Sequence, residues 1–454
     1  MDREEMRFYP MGESRFKPLR LSFEPSLRLE FHGANVTSDA GLLAYRELDE
    51  ALGLSAMINP FVADPRTGNN TRHSITALLR QAVYGRLAGY EDTNDAERLR
   101  FDPAVRQLVG GRAREKEAAS TSEMGWFETE VLTQKENLRS LMDLPGVWSD
   151  RVRVRTGALQ RLVLDMDSSE SETYGDQQGS AYNGHFDCTC YHPLFLFNQD
   201  GDLERCMLRR GNRYSSKYWR RVLCPVIERY RRLNIARFFR GDAAFEVPGL
   251  MRLLEVEGFK YTIRIKQNPV LMRVIEHLLT RPVGRPSQKP KVFYHSFMYR
   301  AGSWDLDRRI VAKVEWHMGE LFPRVGFIVT NLRWRPKRVV KFYNKRGTAE
   351  QWIKEGKNAV KWTKLSCHDF KDNQVRLQLF ALAYNLGNFL RRLALPRSVK
   401  HWSLTTLREK LVKIGAKVVK HARYVVFQMA EVAVPRELFA SILAKIVRLK
   451  EAPA

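Results

Sequence analysis

The stretch RLVLDMD, residues 161–167, is a short apolar run that contains two acids, and it opens the part of the chain that decides the fold. HPLFLFNQDGDLERCMLRRG, residues 192–211, predicts two strands joined by a turn at residues 200–202. Residues 215–234 have the apolar spacing of an amphipathic helix. ARFFRGD, VPGLMRLLEVEG and YTIRIKQN continue as strand, helix and strand. Residues 161–268 therefore predict an α/β layer with a mixed sheet, because the first strands are joined too tightly for crossovers.

The regions on either side of this layer differ in their hydrophobic patterns. Residues 1–155 open with a strand-like run and then read as mostly helical, with one helix expected to start near Ser74. Residues 269–332 lose helical periodicity and predict a β-rich insertion, after which a helix pair returns at 348–365 and 373–391. We therefore expect five regions: 1–155 helical, for DNA binding and dimerisation; 156–268 first core part; 269–332 insertion; 333–395 second core part; and 396–454 a basic helical tail.

Charge indicates the kind of partner. The chain has 454 residues, and 76 Lys and Arg against 51 Asp and Glu give a net charge of +25. Such an excess produces a positive field over much of the surface, so a polyanion is the expected partner. The sequence has no apolar run long enough for a membrane span, which favours double-stranded DNA over a membrane. Five unevenly spaced cysteines and an N-terminus without a secretory pattern indicate a reducing, cytoplasmic setting.

Three acids stand where a divalent metal can be held against phosphate. Asp167 ends the first core strand, Asp242 ends FFRGD, and Glu350 lies in the first turn of a predicted helix. Two strand-end aspartates and one helical glutamate can converge on two Mg²⁺ or Mn²⁺ ions. Each position also has an ordinary structural use, since Asp is common at turns and Glu is favoured in the first turn of a helix.

Helix geometry favours Glu350 over Glu355 as the functional acid. At about 100° per residue, Lys354 and Lys357 lie on the Glu350 face, whereas Glu355 is offset by roughly 140°. A metal-binding acid beside Arg346, Lys354 and Lys357 makes chemical sense if these cations hold the phosphates next to the scissile bond.

The choice of the first acid stays open. Asp165 and Asp167 are two residues apart on a strand and therefore point to the same side. We prefer Asp167 because it is nearer the strand end and opens a D-S-S sequence with Ser168 and Ser169. Asp165 is then a supporting acid or a ligand of a second metal ion.

Tyr343, Arg346, Glu350 and Lys357 follow a fixed spacing that resembles the Y-R-E-K signature of bacterial insertion-sequence transposases with a DDE core. The D-S-S sequence resembles the first-acid motif of these enzymes. HGANVTSDAGLL, GYEDTNDAERLRFDP, YNGHFD, RGDAAF and LFALAYNLGNFLRR are similar to stretches of insertion-sequence group thirteen-eighty in particular, and the likeness extends over most of residues 30–392.

This resemblance implies a fold and an activity. The fold would be an RNase H-like mixed-sheet core interrupted by the β-rich insertion, with the helical N-terminal region and tail outside it. The activity would be metal-dependent cut-and-paste transposition at terminal inverted repeats, with Tyr343 on a phosphate, and coordinated cutting of two ends favours a homodimer. Two alternatives remain: a metal-dependent nuclease of the same fold without strand transfer, and a non-catalytic DNA-binding regulator descended from a transposase.

A second set of cations lies in the predicted tail. Lys410, Lys413, Lys417 and Lys420 recur at i, i+3, i+7 and i+10, while apolar residues recur beside them at helical spacing from residue 407 to 418. The pattern predicts one helix with a cationic stripe, which either lies along the DNA backbone or is only a solvated face packed on the core.

Overall fold

The computed structural model describes residues 19–23, 26–29, 34–67, 71–157, 159–284, 288–431 and 434–451. The first 18 residues of the predicted N-terminal region lie outside these ranges. Within them, none of the helices combines the length and the apolar character needed to cross a bilayer.

The N-terminal region is mostly helical, as the sequence predicts. The helix expected near Ser74 starts there, and the Ser74 hydroxyl accepts a hydrogen bond from the amide of Ala77 at 3.2 Å. The elements in chain order are β1 (Leu19–Arg20), β2 (Arg28–Leu29), β3 (Val36–Thr37), α1 (Leu42–Leu52), α2 (Leu54–Phe61), α3 (Ile75–Leu87), α4 (Ala96–Leu99), α5 (Pro103–Val109), α6 (Thr121–Trp126) and α7 (Lys135–Thr156).

The α/β layer begins at residue 161, and its predicted strands and helices are confirmed. Its elements are β4 (Arg161–Ser168), β5 (Ser171–Glu172), β6 (Ala181–Asn183), β7 (Cys188–Tyr191), β8 (Leu194–Asn198), β9 (Leu203–Met207), α8 (Trp219–Tyr230), β10 (Ala236–Gly241), α9 (Pro248–Val256) and β11 (Lys260–Ile265).

The remaining elements are α10 (Pro269–Val274), β12 (Lys291–Tyr299), β13 (Arg308–Trp316), β14 (Arg324–Thr330), α11 (Pro336–Asn344), α12 (Gly347–Glu355), α13 (Phe370–Phe389), α14 (Leu404–Leu407), β15 (Ala416–Lys420), β16 (Val425–Met429) and α15 (Arg436–Glu451). Wider helical turns extend α12 through Gly356–Val360 and α14 through Arg408–Val412.

One mixed sheet organises the molecule, with the strand order β12-β13-β14-β11-β10-β4-β8-β9. Strands β4, β10 and β11 are parallel, and every other neighbouring pair is antiparallel. The strands predicted for residues 269–332 are present, and they extend this sheet through β14 and β11 rather than forming a sheet of their own. Because β8 is antiparallel to both β4 and β9, the carboxyl ends of β9, β4, β10 and β11 lie at one edge.

Both faces of the sheet are buried, and strand alternation divides them. Leu194 and Leu196 of β8 pack with α8 and α9 in one core, whereas Phe195 and Phe197 pack with α7, α12 and α13 in the other. The same alternation in β4 sends Leu164 and Met166 to the first core. Asp165 and Asp167 must therefore point to the face that α12 covers.

The tail departs from the prediction of one basic helix. After α14 and its extension, residues 416–420 form β15, which pairs with β16 on one side and with β3 on the other. Lys417 and Lys420 are therefore strand residues, three apart and on opposite faces, and they continue no helical stripe from Lys410 and Lys413. Pairing with β3, far away in sequence, overrides the helical spacing of the apolar residues.

Candidate active site

The three acids singled out from sequence lie at one edge of the central sheet. Asp167 is the last residue but one of β4, and Asp242 follows the neighbouring parallel strand β10 directly. Since parallel strands end at the same edge, these two carboxylates are close neighbours. Glu350 lies in the first turn of α12, which packs on β4, and its side chain is 53% exposed. The predicted trio is thus brought together across a strand pair and a helix.

Arg346 joins two of these acids. Its Nη1 donates to Asp167 Oδ2 at 2.9 Å, and its Nη2 donates to Glu350 Oε1 at 2.5 Å. The side chain of Arg346 is largely buried, as is that of Asp167. A shared guanidinium fixes the distance between the strand acid and the helix acid, so α12 is held in register with the end of β4.

Asp242 is arranged differently. Its Oδ1 accepts a hydrogen bond from the amide of Ala244 at 2.9 Å, which caps the short turn after β10. Among the described residues, no Lys, Arg or His forms an ion pair with it. Asp242 therefore adds a negative charge to the site that Arg346 does not directly neutralise.

The electrostatics of Asp167 report this excess of acids. Burial raises the pKa of Asp167 to about 6; Arg346 opposes the rise, and the negative charges of Asp242 and Glu350 add to it. Strongly shifted carboxyls are typical of functional sites, although structural ion pairs also shift them.

The donor set suits a hard divalent cation. Carboxylate oxygens are the ligands that Mg²⁺ and Mn²⁺ prefer. In the described part of the chain, no three acidic, His or Cys side chains lie close enough together to hold one ion as they stand. The acids therefore fit such an ion in chemistry and charge, and Arg346 bonds to two of them in this arrangement.

Asp165 serves the fold rather than the site. Both its oxygens accept from the guanidinium of Arg240, at 2.6 Å and 2.5 Å, and Arg240 Nη1 also reaches the carbonyl of Phe342 in α11 at 3.1 Å. Asp165 and Arg240 are directly paired in the β4–β10 register, and both are buried. Both oxygens of Asp165 are thus bonded to a buried arginine that fastens α11 to the sheet, and Asp167 stays the preferred first acid.

Tyr343 borders an open groove beside Asp242. The groove has a volume of about 760 Å³, and its polar lining consists of Asp242, Arg264, Lys266, Gln267, Tyr343 and Arg346. Burial raises the pKa of the Tyr343 phenol, which lies beside Arg346. The cleft thus places the acid Asp242 beside the exposed cations Arg264 and Lys266.

Lys354 in α12 and Lys357 in its extension have different surroundings. Lys357 Nζ lies 2.5 Å from Glu170 Oε1, in the turn that follows β4. Lys354 is exposed one turn after Glu350. Glu355 faces away, as helix geometry predicts, and accepts from Arg391 Nη1 at 2.6 Å and 2.8 Å.

Sequence reasoning missed four residues around the site. Arg240 and Glu170 hold Asp165 and Lys357, and only strand register or the folded turn reveals these partners. Arg264 and Lys266, at the end of β11, carry a signal that was available: they alternate along YTIRIK and so share a face at a strand end.

The tail lysines Lys410 and Lys413 contact residues outside the acid cluster. Lys413 Nζ is 2.7 Å from Asp39 Oδ1, and Lys410 lies over the ring of Trp402 at 4.9 Å. With Lys417 and Lys420 on β15, these four residues form no common stripe, so the prediction of a single helical DNA-binding face is wrong.

The comparisons with known proteins concern the whole chain. The sequence profile of the family described as Transposase DDE domain group 1 matches residues 19–451. No curated protein shows a significant match. Among solved structures, the chain is similar to a cryo-EM structure described as a piggyBac transposase synaptic complex with hairpin DNA, with 12% sequence identity and a TM-score of 0.40 over 83% of this chain and 79% of that one.

Proposed function

The chain belongs to the family described as Transposase DDE domain group 1, and from this premise we propose that it is a cut-and-paste DNA transposase of an insertion sequence. It would cut double-stranded DNA at terminal inverted repeats and join the freed 3′ ends to target DNA. Asp167, Asp242 and Glu350 would be its metal-binding acids, with Mg²⁺ or Mn²⁺ as the cofactor. A homodimer is proposed because two ends must be cut together.

One observation carries this proposal. Asp167 and Asp242 end adjacent parallel strands, and Glu350 is tied to Asp167 through Arg346 beside an open cationic groove. The order of the first five core strands, β9-β8-β4-β10-β11, with only β8 reversed, supports an RNase H-like core. We therefore propose that the acids act as one site rather than as three separate caps.

The residues would divide the work by their chemistry. When bound, the metal supplies a more acidic water and stabilises the leaving oxygen. Arg346 would turn one or both of its hydrogen bonds from the acids to the scissile phosphate, which its planar fork can grip with two donors. Tyr343 would orient the same phosphate from the groove side. Lys354 and Lys357 would hold neighbouring phosphates through charge, without reading bases.

The test uses a duplex that carries the two inverted repeats flanking the reading frame, incubated with the full chain and Mg²⁺ and then with EDTA. Cleavage at the repeat ends followed by joining to a second duplex, both abolished by EDTA, is expected. Cleavage without joining would replace the transposase with a nuclease of the same fold. Binding without any cleavage, in the presence of either metal, would favour a regulator and overturn the proposal.

A further inference from the structure

The loop of residues 210–217, here called the cationic loop, follows β9 and carries Arg210, Arg213 and Lys217 with no acidic residue. Strand β9 runs in the same direction as β4, so the loop leaves the sheet at the edge where Asp167 and Asp242 lie. Neighbouring strands are about 4.8 Å apart, which puts the base of the loop roughly 10 Å from the end of β4.

A buried arginine that has no acidic partner among the described residues holds this loop in place. Arg209 is 1% exposed, and its guanidinium donates to backbone carbonyls alone: that of His192 at 2.7 Å, and those of Tyr214, Ser215 and Lys217 at 3.1, 2.7 and 2.8 Å. Its Nη2 is buried and has no hydrogen-bond partner in the part of the chain that the structure describes. Burying a cation without an acid is costly, and here the cation organises the backbone of one loop.

Close packing restricts the loop further. A Cβ atom on Gly211 would lie 2.1 Å from the carbonyl oxygen of Cys190 and 2.3 Å from that of Ala181, so only glycine fits where the loop crosses β6 and β7. At its other end, Tyr218 adopts a left-handed conformation with φ of 66° before α8 begins. The loop is thus a fixed surface of the fold.

His192 couples the loop to the strand of the first acid. It is buried, its Nδ1 lies 2.8 Å from the carbonyl oxygen of Arg213, and its Nε2 lies 3.0 Å from the hydroxyl of Ser168. A neutral imidazole that donates from Nδ1 to the carbonyl accepts from the Ser168 hydroxyl at Nε2. Ser168 is the neighbour of Asp167, so the backbone of Arg213 is positioned relative to the candidate acid through two hydrogen bonds.

The three cationic side chains of the loop are unpaired in the described part of the chain. Among the described residues, the side chains of Arg210, Arg213 and Lys217 form no ion pair and no hydrogen bond, although Lys217 lies 5.5 Å from the ring centroid of Tyr218. The Tyr214 side chain is 86% exposed between them. Fixed, unpaired cations with an exposed ring are a surface for a polyanionic backbone.

We propose that the cationic loop is a second DNA-binding surface, which holds the phosphate backbone of duplex DNA on the β9 side of the acids. Arg264 and Lys266 border the groove on the β11 side, so the backbone would be gripped on both sides of Asp167 and Asp242. This inference rests on the proposed function, because it takes the bound polyanion to be the DNA that the site cuts.

The structure supplies a matched control for the test. Arg161, Arg232 and Lys260 are also two arginines and a lysine, all exposed, and in the described residues none has an ion pair or a side-chain hydrogen bond. They lie at the start of β4, shortly before β10 and at the start of β11, which is the opposite edge of the sheet. Changing either trio to Ala removes the same charge.

Binding of a short fluorescent duplex is measured in EDTA as log affinity against log salt for the full chain, the loop variant R210A/R213A/K217A and the control R161A/R232A/K260A. Each lost phosphate contact lowers the slope by about 0.9, so the loop variant should lose up to roughly 2.7, while the control keeps the wild-type slope. Single Gln substitutions at the three loop positions should each lose about 0.9, which covers a triple variant that folds poorly.

Equal salt slopes for the two triple variants, both with wild-type far-UV circular dichroism, would overturn the proposed DNA-binding role of the cationic loop. The proposed function would stay intact. A wild-type protein that shows no salt-dependent binding to the duplex would overturn both the role of the loop and the proposed function. Cleavage by the loop variant that recovers at saturating DNA would support a role of the loop in binding alone.

Discussion

Two clusters of carboxylates in this molecule contain the same residue types and differ in their balance of charge. The buried ionic network consists of Asp150, Arg153, Glu204 and Arg229. Glu204 has no exposed side-chain surface, and both arginines contact it; Arg229 also lies 2.5 Å from Asp150. Two acids and two guanidiniums cancel, and the network joins α7, β9 and α8.

The acid cluster of Asp167, Asp242 and Glu350 has one guanidinium for three carboxylates. Of its members, Asp242 lines an open groove and the Glu350 side chain is 53% exposed, so the cluster is not enclosed. The difference teaches that the buried ionic network neutralises its own charge, whereas the acid cluster does not. Where the internal balance stays negative beside an opening, the missing cation is expected from solution.

The largest effect should separate the two clusters by activity. Asp242→Asn and Glu350→Gln keep shape but remove the charge that would hold the proposed metal, so cleavage of DNA at the terminal repeats should fall about 10⁴-fold or more, equivalent to about 5 kcal/mol. Affinity for end DNA in EDTA and the thermal unfolding midpoint should stay close to wild type. Normal cleavage by either variant would remove that acid from the site.

The next effect belongs to the buried ionic network and should appear in stability. Glu204→Gln leaves Arg153 and Arg229 buried with too little negative charge, which should cost about 3–5 kcal/mol. Thermal or urea unfolding measures the loss. Glu228→Gln is the control, since Glu228 pairs with Arg231 at the surface and its loss should leave the midpoint unchanged. Similar midpoints for both variants would make the network no more important than a surface pair.

A smaller effect of opposite sign is expected at Asp167. Its folded pKa of about 6 lies above the ordinary value of 3.8, so ionising it costs stability; this loss develops as pH rises from about 4 to about 6 and is complete above pH 6. Asp167→Asn avoids the cost and should raise unfolding stability by about 1–3 kcal/mol near pH 8, with no gain near pH 4. Cleavage should be lost at both values. A gain that is the same at pH 4 and pH 8 would contradict the assignment.

The smallest expected effect is on stability, and it should distinguish Lys357 from Lys354 of α12 and its extension. Lys357→Ala breaks the contact with Glu170 and should lower stability by about 1 kcal/mol or less, because such pairs are partly solvated. Lys354→Ala should leave stability unchanged. If each lysine holds one phosphate, both variants should reduce the salt slope of DNA binding by about 0.9. An unchanged salt slope in both variants would show that neither lysine holds a DNA phosphate.

Much of the candidate site at the sheet edge could be predicted from sequence because its signals are local. Alternation in RLVLDMD sets which side chains share a face, and the angle between Glu350 and Glu355 needs only helix geometry. The role of Asp165 needed more, since its partner Arg240 is identified by the pairing of β4 with β10, which local patterns leave open. The sheet to which β12–β14 belong was undetermined for the same reason.

The tail shows where local pattern misleads. Leu407, Leu411, Ile414 and Val418 fit a helix, and the chain does begin as one, yet residues 416–420 pair with β3 and β16. Backbone hydrogen bonds to a distant strand outweigh a helical propensity that is worth a few tenths of a kcal/mol per residue. Lys417 and Lys420 were misplaced with it.

The pairing of β3 with β15 also has a consequence for biosynthesis. Its two strands are about 380 residues apart, and at roughly 5–20 residues per second the ribosome makes the second about 20–80 s after the first. A Cβ atom on Gly41 would lie 1.7 Å from the carbonyl oxygen of Leu411, and this close contact also forms only after Leu411 has been synthesised. The early helices thus leave the ribosome with an open strand edge and an unfilled contact, which a nascent chain of this length must keep from aggregating until its last segments arrive.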